Sequence, residues 1–244
     1  MAQRGRGRWG CLGVALLVAL LGWWVGARIW QTLRWGCAEA MPWSTERTAR
    51  RCGLPPAVTD AVLAAVRPVA DRVQDGRLDL AAGLAFLRGL ESREILAPWM
   101  AAGLLELLAE QGPAATTLGE ASSPEGAAAA TDGLAPPTTP LAALAITFCE
   151  MYKNGKIGPV SWSALEELVV EEREVPISRP SGLVITDRVR QMKRTLTEEE
   201  LARLSGLLTA AVGPPPPGGF HPTAPDPMAA LHALLRRVQN GVER

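Results

Sequence analysis

Two regimes of hydrophobic patterning divide this chain. Residues 9–27 (WGCLGVALLVALLGWWVGA) form a run of nineteen without a charge, whereas further on apolar residues recur every three or four positions between Gly, Pro and charged stretches. As a helix the run is about 28 Å long, close to the roughly 30 Å hydrocarbon thickness of a bilayer. Its five Leu and three Val each favour insertion by about 0.3–0.6 kcal/mol, roughly 2.5–5 kcal/mol together. The reading is a single transmembrane helix over 9–30 behind a basic tail, 1–8, that carries Arg4, Arg6 and Arg8.

Six of the eight tryptophans, Trp9, Trp23, Trp24, Trp30, Trp35 and Trp43, lie in the first 43 residues. Indole rings favour the headgroup level, so Trp9, Trp23, Trp24 and Trp30 are assigned to the membrane interface. Gly22 and Gly26 stand at GxxxG spacing, which allows weak homodimerisation in the bilayer. A cleaved signal peptide competes with the anchor: the arginines give a basic n-region, 11–21 an apolar stretch, and Val25-Gly26-Ala27 a small-residue cleavage pattern. The apolar run outlasts the usual stretch of roughly 7–15 residues, which favours a retained anchor. Export as a soluble helical protein after cleavage at Ala27 is the alternative. Arg4, Arg6 and Arg8 nearly balance Arg28, Arg34 and Arg47 across the run. A short basic tail kept in the cytoplasm places the soluble part on the extracytoplasmic side.

Downstream the 3.6-residue period predicts helices. The juxtamembrane segment, 31–56, holds Ser44 and Thr45 ahead of a short helix that stops near Gly53. A first helical unit, 57–111, carries Val58, Val62, Val66, Val69 and Val73 at helical spacing, with a kink expected at Pro68 and a stop at Asp75-Gly76. Asp79 then caps a helix with Leu80, Leu84, Leu87 and Leu90, and Ser92 one with Ile95, Trp99, Leu104 and Leu108. In a second unit, 141–212, Leu144, Phe148 and Met151 mark a helix ending at Asn154-Gly155. Ser163 with Glu166, and Thr197 with Glu200, fit capping boxes. Between those boxes Val175-Pro176 and Arg179-Pro180 demand non-helical backbone, and 183–186 fits either an extended piece or a helix start. The linker 112–140 is rich in Ala, Thr, Pro and Gly and too poor in large apolar residues to offset chain entropy. A Pro-rich linker, 213–227, leads to a C-terminal helix, 228–244, with Asp226-Pro227 as its cap and first residue. Arg72-Val-Gln-Asp-Gly76, Tyr152-Lys-Asn-Gly155 and Arg237-Val-Gln-Asn-Gly241 close helices in the same way. A divergent repeat is one reading; a helix stop shared by chance is the favoured one. The fold class is thus all-α: an N-terminal transmembrane helix and two small helical units joined by flexible Pro/Ala/Gly-rich linkers.

Composition narrows the function. Formal charge is zero, so no global field draws the chain to nucleic acid, and the 22 Arg against 3 Lys follow the Ala, Gly and Pro excess of a GC-rich coding bias. Cys11, Cys37, Cys52 and Cys149 show no CxxC spacing; a Cys37–Cys52 disulfide is conceivable on export, but free thiols are favoured. His221 and His232 lie eleven residues apart across a Pro-containing stretch with no Cys near, so no metal site is expected. Arg188, Arg190, Lys193 and Arg194 are the candidate anion contact, weighed against a self-neutralised helical surface because Glu198, Glu199 and Glu200 follow. Glu166, Glu167, Glu171, Glu172 and Glu174 read as a solvated charge run, Glu167 and Glu171 sharing a helix face. No nucleophile–base set, P-loop or GxGxxG is present, so no catalytic or cofactor-binding residue is assigned. The function expected is non-catalytic: a bilayer-anchored scaffold that binds another protein through Leu201, Leu204 and Leu208. A membrane-anchored enzyme with a dispersed carboxylate and arginine site is the rival.

Overall fold

The computed structural model describes residues 6–111, 140–178, 184–213 and 222–240, with side chains described from Leu17 onward and, in the hairpin, not for 175–178, 184, 185 and 187. The side chains of Trp9 and Cys11, most of the linker 112–140, His221, the proline run 214–217 and Gly241 lie outside the described residues. The described residues form eight helices and one two-stranded sheet. The all-α character holds in its coarser form: the described residues are predominantly helical, with one small two-stranded sheet added.

Helix α1, Arg6–Arg51, runs unbroken for 46 residues, about 69 Å. The separate span at 9–30 and short helix after Ser44 are corrected to this single element, with Pro42 inside it. Thr45 caps nothing; it is buried and donates its hydroxyl to the Met41 carbonyl at 2.7 Å. Cys37, Met41, Thr45, Ala49 and Cys52 recur at helical spacing and are all buried, so the last third of α1 belongs to the body. Along one helix Cys37 and Cys52 lie about 22 Å apart, beyond any disulfide, and both are free thiols.

Helices α2 (Pro56–Gln74), α3 (Leu80–Leu90) and α4 (Arg93–Glu110) follow, then α5 (Pro140–Lys153) and α6 (Pro159–Val169). Helices α1, α2 and α5 end before glycines in the left-handed region, Gly53, Gly76 and Gly155, with φ of 69°, 75° and 71°. Two residues past the last two stops, Leu78 and Ile157 are buried, so the shared motif tucks one aliphatic side chain under each turn. Valines 62, 66, 69 and 73 are the buried face of α2, and Pro68 sits within that helix. On α3 the buried face is Ala82, Gly83, Phe86 and Leu90, while Leu84 is exposed. Gly83 lies against Cys37 and Val73, and Gly89 against Leu234, so the neighbours on α1, α2 and α8 selected a face of smaller residues.

Helix α4 is central and buried on most sides: Ile95, Leu96, Trp99, Met100, Leu104, Leu107 and Leu108 all lie inside. The units expected at 57–111 and 141–212 do not close separate cores, because buried residues on both sides of the linker form one continuous cluster. Small residues on α4 make this possible. A Cβ on Gly103 would run into the carbonyl oxygen of Cys52 and the backbone of Gly53. Gly103→Ala is therefore expected to destabilise by about 2–3 kcal/mol and to lower Tm by roughly 5–10 °C. Gly206, mid-helix with open space around it, is the control: Gly206→Ala should raise stability by about 0.5–1 kcal/mol. Equal melting of Gly103→Ala and the parent would refute the close approach.

Strands β1 (Val170–Ser178) and β2 (Val184–Met192) form an antiparallel hairpin. The extended option for 183–186 is the one realised from Val184 onward. Helix α6 ends at Val169, so Glu171, Glu172 and Glu174 lie on β1, and the helix face expected for Glu167 with Glu171 does not form. Arg188 and Arg190 are likewise strand residues, not part of a helical surface. Register sets Glu172 opposite Arg190 and Glu174 opposite Arg188, opposite charges facing across the ladder. The hairpin base is apolar, with Val170, Val189 and Met192 buried.

Helices α7 (Glu198–Val212) and α8 (Pro227–Asn240) complete the body. Thr197 and Glu200 form the expected capping box, and Asp226 Oδ1 accepts the Ala229 N–H at 2.8 Å. Trp99 Nε1 donates to the Pro227 carbonyl at 3.1 Å, fixing the start of α8 on the central helix. Asp79 and Ser92 occupy N-cap positions without a side-chain cap bond. Ser163 is inside α6, which starts earlier, at Pro159 after Gly158.

Candidate functional site: an exposed apolar helix seated in a closed core

Nearly all the exposed large apolar surface belongs to α1. Twelve of the fourteen exposed large hydrophobic residues described are on it, from Leu17 to Trp43, leaving only Leu84 and Val160 elsewhere. Val18, Leu21 and Trp23 are 63%, 60% and 73% exposed. No part of the body covers them, and one contiguous apolar patch of this kind marks a surface that meets something else. Trp24 and Trp30 are exposed as well, and Gly22 and Gly26 have no neighbour within 4 Å. Among the described residues no helix is long and apolar enough to cross a membrane. The uncharged run starts at Trp9, and its side chains before Leu17 lie outside the described residues.

Where the apolar stretch gives way to the body, arginines lie over tryptophan rings. Arg28 stands 5.4 Å from the Trp24 centroid, Arg34 5.5 Å from Trp30 and Arg47 5.2 Å from Trp43. Each pair is spaced four residues apart on one helix face, which sets the guanidinium over the ring face.

The foot of α1 is locked by a buried polar network that the sequence reading missed. Glu166 on α6 is almost fully buried and accepts both hydrogen bonds of an Arg51 guanidinium nitrogen at 2.5 Å. Trp162 Nε1 donates to the same carboxylate at 2.8 Å, and Arg190 of β2 approaches it at 3.7 Å. Burial works against the charged form of Arg51, yet the hydrogen bonds and charge of Glu166 outweigh it and hold its pKa above the ordinary value. Trp162 and Glu166 are one helical turn apart, the only local signal; the partner on α1 is 115 positions away.

The remaining sequence candidates separate. Leu201, Leu204 and Leu208 are buried in the core, so the expected partner-binding face is corrected to a packing face. The four basic residues do not converge on one anion. Arg188 faces Glu174 at 3.6 Å, Arg190 turns to Glu166, Lys193 binds Glu200 at 2.6 Å, and Arg194 is exposed. Lys193, then the Thr197 backbone, pull the Glu200 carboxyl down from the ordinary 4.5 to about 2. A depressed carboxyl stabilises the fold above its ordinary pKa and loses that contribution as pH falls towards its folded value. Acidification from pH 5 to pH 2 should therefore loosen the first turn of α7. Hydrogen exchange at the Glu200 and Leu201 amides reads this, and unchanged protection across that range would refute it.

The described thiols are poor nucleophiles. Burial raises all three, Cys52 to about 12, with adjacent Arg51 opposing the rise without cancelling it. Among the described residues no cluster of three or more His, Cys, Asp or Glu could hold a metal ion. A cleft of about 520 Å³ lies between α4, α5 and α8, with Ala97, Ala101, Ala229 and Ala233 in its walls. Its Glu94 and Arg237 pair with each other at 2.5 Å, both about half exposed.

Fold and site together define a predominantly helical protein with one long helix whose described middle is apolar and bare and whose last third is core. No protein-family model, curated protein or solved structure matches this chain.

Proposed function

We propose that this chain is a single-pass, membrane-anchored helical protein with a non-catalytic role, presenting its body on the extracytoplasmic side to another protein. The observation that supports the anchor is the bare apolar stretch of α1, continuous with a last third that forms part of the core. An aqueous neighbourhood penalises so much exposed Leu, Val, Ile and Trp, while hydrocarbon and headgroups favour it. Because α1 is one helix, the body is carried on a stiff stem and not on a flexible tether. Protonated thiols and solvent-exposed charges at the cleft support a binding role over catalysis. The test is carbonate extraction of membranes from cells that make the full-length chain. Retention in the pellet until detergent is added is expected; the unprocessed chain in the supernatant would overturn the anchor.

A further inference from the structure

Where the uncharged run ends, α1 and the end of α2 border a small open crevice of about 270 Å³. It is lined by Arg28, Gln31, Thr32, Trp35 and Gln74. Arg28 is the first charged residue after the uncharged run. If that run fills the hydrocarbon, the crevice opens within the headgroup layer, which is roughly 5–8 Å deep on each side. Its chemistry is that of a phosphate site. Arg28, Gln31 and Gln74 line it beside the Trp35 ring, residues whose side chains carry guanidinium and amide donors, and no carboxylate lines it. The Thr32 hydroxyl is already used, donating to the Arg28 carbonyl at 2.9 Å. Arg28 has no ion-pair partner among the described residues; its only described contact of that kind is the Trp24 ring. On the same junction a second cation, Arg34, lies against Gly76 at the end of α2, its Nε buried and without a hydrogen-bond partner among the described residues. Asp75, the nearest carboxylate in sequence to Gln74, is 3.9 Å from Arg77.

Resting on the anchored reading above, we propose that this collar binds the phosphate of an anionic phospholipid headgroup. Arg28 carries the charge recognition, and Gln31 and Gln74 orient the phosphate oxygens. The lipid fixes the depth and rotation of the stem relative to the bilayer surface.

The test is native mass spectrometry of the full-length protein released from nanodiscs of phosphatidylcholine alone, or of phosphatidylcholine with phosphatidylglycerol. The parent protein is expected to retain phosphatidylglycerol selectively. Retention should fall about fivefold for Arg28→Gln, the worth of one arginine at a lipid surface, and further with Gln74→Ala. Arg47→Gln, which removes a ring-stacked arginine outside the crevice, should change it less than about twofold. Equal retention by the parent and the Arg28→Gln/Gln74→Ala variant overturns the site while leaving the anchor standing. Failure of the parent to enter nanodiscs overturns both. Inorganic phosphate titrated into the phosphatidylcholine discs is the third arm. Saturable binding there that the same substitutions abolish would make the ligand free phosphate and overturn the headgroup assignment.

Discussion

Arginine at both Val18 and Leu21 should move the full-length protein from the membrane pellet to the soluble fraction without unfolding its body. Both side chains lie near the middle of the uncharged run and are largely exposed. Each arginine at the centre of a membrane helix costs about 3 kcal/mol and forfeits about 0.5 kcal/mol of favourable transfer. The pair therefore opposes insertion by roughly 7 kcal/mol, more than the roughly 2.5–5 kcal/mol that the five Leu and three Val supply. No residue of the body rests on either position, so helical content and thermal melting should match the parent within error. Membrane retention of the double variant would show that something other than lipid holds the chain there. Loss of folding would show that the bare segment packs against the body.

Glu166→Ala should be the most damaging single substitution at the foot of α1. The carboxylate is nine-tenths or more buried, whereas the Arg51 side chain keeps 27% exposure. Removing one member of a buried pair costs about 3–5 kcal/mol because the other charge is left uncompensated. Partial access of Arg51 to water argues for the lower end, about 3 kcal/mol, and the stranded Trp162 N–H adds about 1 kcal/mol. A loss of about 4 kcal/mol corresponds to a fall of roughly 8–16 °C in Tm. Glu166→Gln keeps an acceptor for Trp162 and should fall by about half as much. Replacing both partners, Arg51→Met with Glu166→Leu, should be milder than Glu166→Ala alone, since no charge remains unpaired. Thermal unfolding followed by circular dichroism orders these three variants. An intact melt for Glu166→Ala would remove the network from the account of how the stem is held.

Local signals were legible where the physics is local. Asp75-Gly76 and Asn154-Gly155 stopped helices because the chain needs a left-handed residue there, and Thr197 with Glu200 formed their reciprocal cap. Four of the five valines striped along α2, all but the partly buried Val58, and the leucines of α7 are buried as their spacing predicted. Burial of Leu201, Leu204 and Leu208 also removed them as a partner face, because periodicity marks an apolar stripe without saying which neighbour covers it. The hairpin was read only in part, as non-helical backbone around Pro176 and Pro180 and one of two options at 183–186. Arg188-Val189-Arg190-Gln191-Met192 has no apolar alternation, since Val189 and Met192 stand three apart, and Pro176, Pro180 and a dense run of carboxylates further obscured any period of two. Glu166 was read as a cap, since Ser163 three residues before it offered a nearer partner than Arg51 at a separation of 115.

By itself the sequence determined where chain charge stops and starts, which stripes could be buried, and where several helices had to end. Each of those follows from solvation or backbone geometry within a few residues. Tertiary structure decided that α1 continues from the bare apolar run into the core, and that the segments either side of the linker share one interior. It also decided that Arg51, Trp162, Glu166 and Arg190 meet, and that Arg28 and Gln74 border one crevice. Those outcomes depend on distant surfaces competing to exclude water and satisfy buried charge, a competition that no short window of residues contains.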